Sequence, residues 1–153
     1  MTAPARAEYF ARNNLGITTT LDDVRDTMSF LDDWEDRYSY IIDLGKQLPG
    51  MPDADKTEEN FIHGCQSQVW IVHERDPETG KILLLVESDA LIVKGLAAIV
   101  MVAFNAKAPQ EILDLDIEAM FSELDLLRHL SPTRGNGLRS MVRRIRSLAE
   151  RYV

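Results

Sequence analysis

One cysteine in 153 residues cannot form an internal disulfide, so nothing in this chain is stapled by cross-links. At this length a single domain can bury a hydrophobic core without such help. No apolar run reaches the roughly 18–20 residues of a membrane span. The longest, Ala90 to Phe104 ("ALIVKGLAAIVMVAF"), is interrupted by Lys94 and Gly95 and reads as a buried helix. The first residues, "MTAPARAEYFARNNLG", lack the apolar core of a secretory signal, and a reducing cytoplasmic compartment is the expectation. Repeats and low-complexity tracts are missing as well. Positive charge is scarce: 17 Lys and Arg against 25 Asp and Glu leave a net charge of −8, which argues against nucleic acid as the main partner, because phosphate contacts need a concentrated positive surface.

With 45% apolar and 27% charged residues, what remains has the composition of an ordinary globular protein. Its charge is uneven. Leu21 to Gly45 carries eight acidic residues against two arginines, whereas Arg134 to Val153 carries six arginines against Glu150 alone. The two segments read as solvated helix faces that attract one another, with a docking surface as the sharper alternative.

Residues 1–19 read as a flexible N-terminal leader before a single domain spanning 20–153. Thr20 and Asp23 have the spacing of a capping box, and apolar residues then recur at three and four from Leu21 to Leu44. Asp32 with Glu35 offers a second start, so this segment divides into one or two helices. "QSQVWIVHER" and "KILLLVES", joined by "DPETG", form a hairpin, and "ENFI" before Gly64 adds a third strand. The apolar helix begins near Ser88 or Asp89. Short helices follow over Gln110–Leu113 and Ile117–Leu126, "HLSPTRGNG" is a loop, and a last amphipathic helix runs from Leu138 to Tyr152. Helices, a small antiparallel three-stranded sheet and more helices make an α+β domain.

Cys65, in "HGCQSQVW", has two readings. Free cysteine is commonly a small buried hydrophobe. Against that, Gly64 permits unusual backbone angles, and a thiol at a bend can be presented to a partner. His63, two positions earlier, shares a face with Cys65 in an extended backbone, and a histidinium there would lower the thiol pKa; a solvated histidine is the plainer reading. His73 reads as surface-facing on its strand, His129 as a helix-end residue, and Trp70 as core.

The segments "GCQSQVWIV", "DALIVKGL", "YIIDLGKQLP" and "HLSPTRGNGL", in one chain at similar spacing, resemble the SufE family of sulfur acceptors for cysteine desulfurases in iron–sulfur cluster assembly. The resemblance runs from about Trp34 to the C-terminus. It implies a SufE- or IscU-like fold and a relay in which a pyridoxal-phosphate desulfurase, SufS- or CsdA-like, holds sulfur as a persulfide. Cys65 would accept that sulfur, stimulate the desulfurase and pass the sulfur to a downstream iron–sulfur scaffold complex. No cofactor of the chain's own is implied. The resemblance also places Arg134 near the thiol in a supporting role. It leaves Asp89 to restrain the cysteine loop or cap the apolar helix, and Gln66 and Ser67 to hold the loop. A scaffold role is the rival from another class, but a cluster needs several thiolates and this chain has one. Zinc held by Cys65, His63, His73 and His129 matches no structural zinc spacing. A non-catalytic adaptor that acts on the desulfurase by docking alone is the second rival.

Overall fold

The computed structural model describes residues 6–65 and 67–153; residues 1–5 and Gln66 lie outside the described set. Seven helices, two turns of 3₁₀ helix and one hairpin are described, an α+β arrangement as the sequence predicts. At its centre is α4, Leu91–Phe104, in which every residue from Gly95 to Phe104 is buried. An apolar helix of this kind must be covered on all sides. Helices α2 (Leu21–Phe30) and α3 (Trp34–Gly45), α7 (Pro132–Glu150) and the hairpin pack around it.

Helix α2 begins as expected, with the Thr20 hydroxyl accepting from the Asp23 amide and the Asp23 carboxylate accepting from the Thr20 amide. The second start is Asp33, not Asp32: its carboxylate accepts from the Asp36 amide at 2.8 Å. Helix α3 comes unusually close to α4. A Cβ on Gly45 would lie 2.7 Å from the Gly95 nitrogen, and one on Gly95 would strike the backbone carbonyl of Ile41. Only glycine allows two helix backbones to touch in this way.

The hairpin pairs β1 (Val69–Arg75) with β2 (Ile82–Ser88) in antiparallel register, from Val69 opposite Ser88 to Arg75 opposite Ile82. The expected third strand is not formed. Residues 60–62 contribute one bridge, Phe61 to Trp70, flanked by bonds from the Ile62 amide to Val69 and from the Ile71 amide to Asn60. A turn at Thr57–Asn60 stops extension on one side, and Gly64, at φ +96°, stops it on the other.

Residues 6–19 belong to the segment that the sequence reads as a leader. Helix α1 (Arg6–Arg12) places Phe10 against Met51, Val72 and Leu85, on the sheet face turned away from the main core. Two buried asparagines then hold the chain to the outer edge of β2. Asn13 donates to the Leu84 carbonyl at 2.8 Å, and Asn105 accepts from the Leu84 amide while donating to the Leu15 carbonyl at 2.9 Å. An unpaired strand edge is a liability, and here amide side chains close it.

The last third also departs from expectation. Helices α5 (Pro109–Asp114) and α6 (Ile117–Glu123) lie where predicted, and a 3₁₀ turn covers Leu127–His129. Most of "HLSPTRGNG" is not a loop, because α7 starts at Pro132. Ser131 caps it, accepting from the Arg134 amide at 3.3 Å, and proline at the first helical position costs no hydrogen bond. The arginines of α7 do not pair with the acidic α2–α3 segment. Arg139 bonds Glu118 of α6, and Arg144 donates to the carbonyls of Glu59 and Phe61.

Candidate functional site

Cys65 follows directly on Gly64, whose positive φ turns the chain off the Phe61 bridge and toward α7. The approach is tight: a Cβ on Gly64 would lie 2.8 Å from the Ser140 hydroxyl oxygen, and one on Gly137 would lie 3.1 Å from the Cys65 sulfur. Both glycines therefore let the thiol segment lie against the helix. The thiol is half-buried and points at the Gly137 carbonyl, 3.6 Å away. It lines a cleft of about 60 Å³ between α4 and α7, with Ile92, Val93 and Leu96 on one wall and Leu138 and Met141 on the other.

Burial pushes the Cys65 thiol above its ordinary value and is the sole cause of the shift. The sign is opposite to the one a neighbouring histidinium would impose. A raised pKa means that the resting thiol is protonated at neutral pH and a poor nucleophile in this position.

The other sequence candidates divide. Arg134 is in the first turn of α7 instead of a loop; it is exposed and lines the same cleft as Cys65. Among the described residues no carboxylate pairs with its guanidinium. Asp89 does not cap α4. Its carboxylate accepts from the Gln68 amide at 3.0 Å, tying the end of the Cys65 segment to the start of α4. Ser67 lines the cleft, and Gln66 lies outside the described residues. His63 is engaged elsewhere: its side chain is 70% exposed, Nε2 lies 2.7 Å from Glu58, and the ring meets the Phe61 ring edge-on.

The remaining histidines are also engaged elsewhere. His73 is half-buried, not surface-facing, and its Nε2 lies 2.8 Å from the Tyr152 hydroxyl. His129 stacks on Trp34 with ring centroids 3.9 Å apart, while the Tyr38 hydroxyl donates to its carbonyl. Among the described residues no three His, Cys, Asp or Glu side chains gather as a metal site would require. Nor, among them, is any helix long and apolar enough to cross a membrane.

Two features of the site were missed in the sequence. The first is Gly137, whose missing side chain makes room for the thiol; the second is Ser131, which with Pro132 fixes where α7 begins and so where Arg134 stands. The Ser-Pro pair was a readable helix start, but the two following glycines obscured it.

A small α+β domain with one thiol held at a glycine turn, in an apolar cleft that Arg134 also lines, is the class that fold and site define. The chain belongs to the SufE family: the family model described as SufE, the Fe-S metabolism associated domain, matches residues 22–149. An uncharacterized SufE-like protein of Rhizobium meliloti strain 1021 is 50% identical over 134 residues, covering 86% of this chain and 96% of the relative. A second uncharacterized SufE-like protein, from Rhizobium etli, is 48% identical over 133 residues, with 86% and 90% coverage. Among solved structures, the solution structure of a hypothetical protein from Thermus thermophilus superposes with a TM-score of 0.70. It is 20% identical and covers 86% of this chain and 94% of its own, a likeness of fold.

Proposed function

We propose that this protein accepts sulfur on Cys65 from the persulfide of a cysteine desulfurase and relays it for iron–sulfur cluster assembly. The observation that carries the reading is the single thiol at a glycine turn, sheltered in an apolar cleft that Arg134 also lines, in a chain of the SufE family. The Cys65 thiolate attacks the outer sulfur of the donor persulfide. A sulfur–sulfur bond forms at Cys65, the donor's sulfur–sulfur bond breaks, and the donor cysteine leaves as a thiolate that takes up a proton. No net oxidation occurs and no second thiol is needed. A resolving cysteine would discharge the cargo as an internal disulfide.

The resting geometry serves a carrier. An exposed thiol oxidises or loses its cargo, whereas one locked in a cleft cannot reach the donor. Gly64 provides the backbone freedom for Cys65 to swing outward, while the bond from the Gln68 amide to Asp89 anchors the start of the hairpin. Once outside, the thiol loses the burial that raises its pKa. Arg134, which lines the same cleft, then stabilises the thiolate or the persulfide anion. The desulfurase performs the carbon–sulfur chemistry, and this chain's own step is transpersulfidation, in a reducing compartment suited to a lone thiol.

The test is Cys65→Ser, which keeps size and polarity but removes the sulfur nucleophile. It should bind the desulfurase as the parent does and fail to stimulate sulfide release. Stimulation equal to the parent's would replace the relay with an adaptor that acts by docking alone.

A further inference from the structure

A second recess lies apart from the thiol, where α1, β1 and α7 meet. This cleft, of about 550 Å³, is within the size range of small-molecule sites. Its lining is strongly cationic. Arg6 enters from α1, Arg144 from α7 and Arg151 from the residue that ends α7, while Glu59 is the one carboxylate on the wall. In a chain of net charge −8 this is a local reversal of sign. Arg6 is partly neutralised by Asp55 at 3.1 Å and Glu74 at 3.8 Å. Arg144 donates to two backbone carbonyls, and among the described residues neither it nor Arg151 pairs with a carboxylate. Neutral hydrogen-bonding groups also line it, Asn60, Ser147 and the half-buried His73, beside the apolar Ile71, Val72 and Leu148.

We propose that this cleft binds a small phosphate-bearing anion. Guanidinium forks match phosphate oxygens in pairs, and three of them converging with His73 and Ser147 supply more charge-assisted donors than a monocarboxylate can use. The protein's own groups already show the field that such an anion would meet. The His73 imidazole is held below its usual pKa by burial first and then by Arg151 and Arg6, with Glu74 opposing; its cross-strand neighbour is the apolar Leu84, and Tyr152 is its hydrogen-bond partner. The site is also linked to the thiol segment. Arg144 holds the carbonyls of Glu59 and Phe61, six and four residues before Cys65, so an anion engaging Arg144 competes with the bonds that fix the entry to the Gly64 turn.

The probe is inorganic pyrophosphate, titrated calorimetrically into the full-length protein at constant ionic strength. One equivalent should bind, and Arg151→Gln should weaken it by about tenfold or more, the value of one lost charge-assisted hydrogen bond. Arg151 is exposed and ends its helix, so this substitution spares the fold. Arg128→Gln, outside the cleft, should bind as the parent does. The His73 imidazole, followed by NMR, should titrate at higher pH with pyrophosphate bound. Citrate should bind more weakly, and phosphatidylglycerol vesicles, which present phosphate on a surface, should not retain the protein. The proposal is overturned if the parent does not bind pyrophosphate, or if Arg151→Gln binds it unchanged. It is equally overturned if Arg128→Gln loses as much as Arg151→Gln, if citrate matches pyrophosphate, or if vesicles bind and free pyrophosphate does not. None of these outcomes depends on sulfur transfer at Cys65.

Discussion

Replacing Gly137 with alanine should drive the Cys65 thiol out of its cleft. The added methyl would lie 3.1 Å from the sulfur and 3.6 Å from the Cys65 Cα and Cβ, so the sulfur must yield by a few tenths of an ångström or leave. Overpacking of this kind costs about 1–3 kcal/mol, and it falls on the inward arrangement alone. The ratio of outward to inward forms should therefore rise by about 5- to 150-fold. Global stability should change little. Alanine gains up to about 1 kcal/mol over glycine inside a helix, which offsets a loss of about 1 kcal/mol from exposing the small Cys65 side chain. The assay is the rate of alkylation by iodoacetamide as a function of pH. In the parent, burial raises the thiol pKa, so the rate should climb at higher pH than in an unstructured cysteine peptide. In Gly137→Ala the rate at neutral pH should increase and the profile should move down toward the peptide's. An unchanged rate and profile with an unchanged melting temperature would refute the inward packing of the thiol against α7.

Asp89→Ala removes the acceptor of the Gln68 amide and should also speed alkylation of Cys65, with little change in melting temperature because the group is exposed; slower alkylation would contradict its restraining role. Arg134→Ala should lower sulfur transfer while leaving the fold intact, whereas a large thermal destabilisation with normal transfer would make the arginine structural. Gly95→Ala should be severely destabilising, by more than about 3 kcal/mol in chemical denaturation, since the new methyl meets the Ile41 backbone and no flexible side chain can yield. His73, whose folded pKa lies below its usual 6.5, contributes stability that is present above 6.5 and lost as pH falls through the lowered value, because the unfolded chain takes up the proton first. The parent's melting temperature should therefore drop across that window by more than that of His73→Gln; parallel curves would contradict the assignment.

Elements governed by neighbours in sequence were legible, and those governed by distant contacts were not. The Thr20–Asp23 capping box, the hairpin with its six-residue connection and the apolar core of α4 are local patterns, and each lies within about three residues of its expected place. Helix α1 carries no such signal. It is held by Phe10 against Val72 and Leu85, and by amide bonds from Asn13 and Asn105 that span 71 and more residues. The third strand failed for a related reason. "ENFI" has strand-like composition, but the turn before it and the left-handed Gly64 after it leave one bridging residue.

At the candidate site, Cys65, Gly64 and Asp89 were readable because a lone thiol, a glycine and a carboxylate carry chemistry or geometry by themselves. His63 could not be assigned, since its partner Glu58 lies five residues back through a turn that sequence spacing does not reveal. The arginines of α7 read as one charged face, yet packing gives Arg134 to the thiol cleft, Arg139 to Glu118, and Arg144 with Arg151 to the second recess. Periodicity places a residue on a helix face, but only the neighbouring elements determine what that face meets.

The central claim is that Cys65 carries sulfur, and intact-mass analysis after incubation with a cysteine desulfurase, its pyridoxal phosphate and L-cysteine tests it most directly. The account predicts addition of sulfur to the parent protein, removed by reductant, mapped to Cys65 and missing from Cys65→Ser. An unmodified parent protein in a reaction that still shows stimulated sulfide release would contradict it.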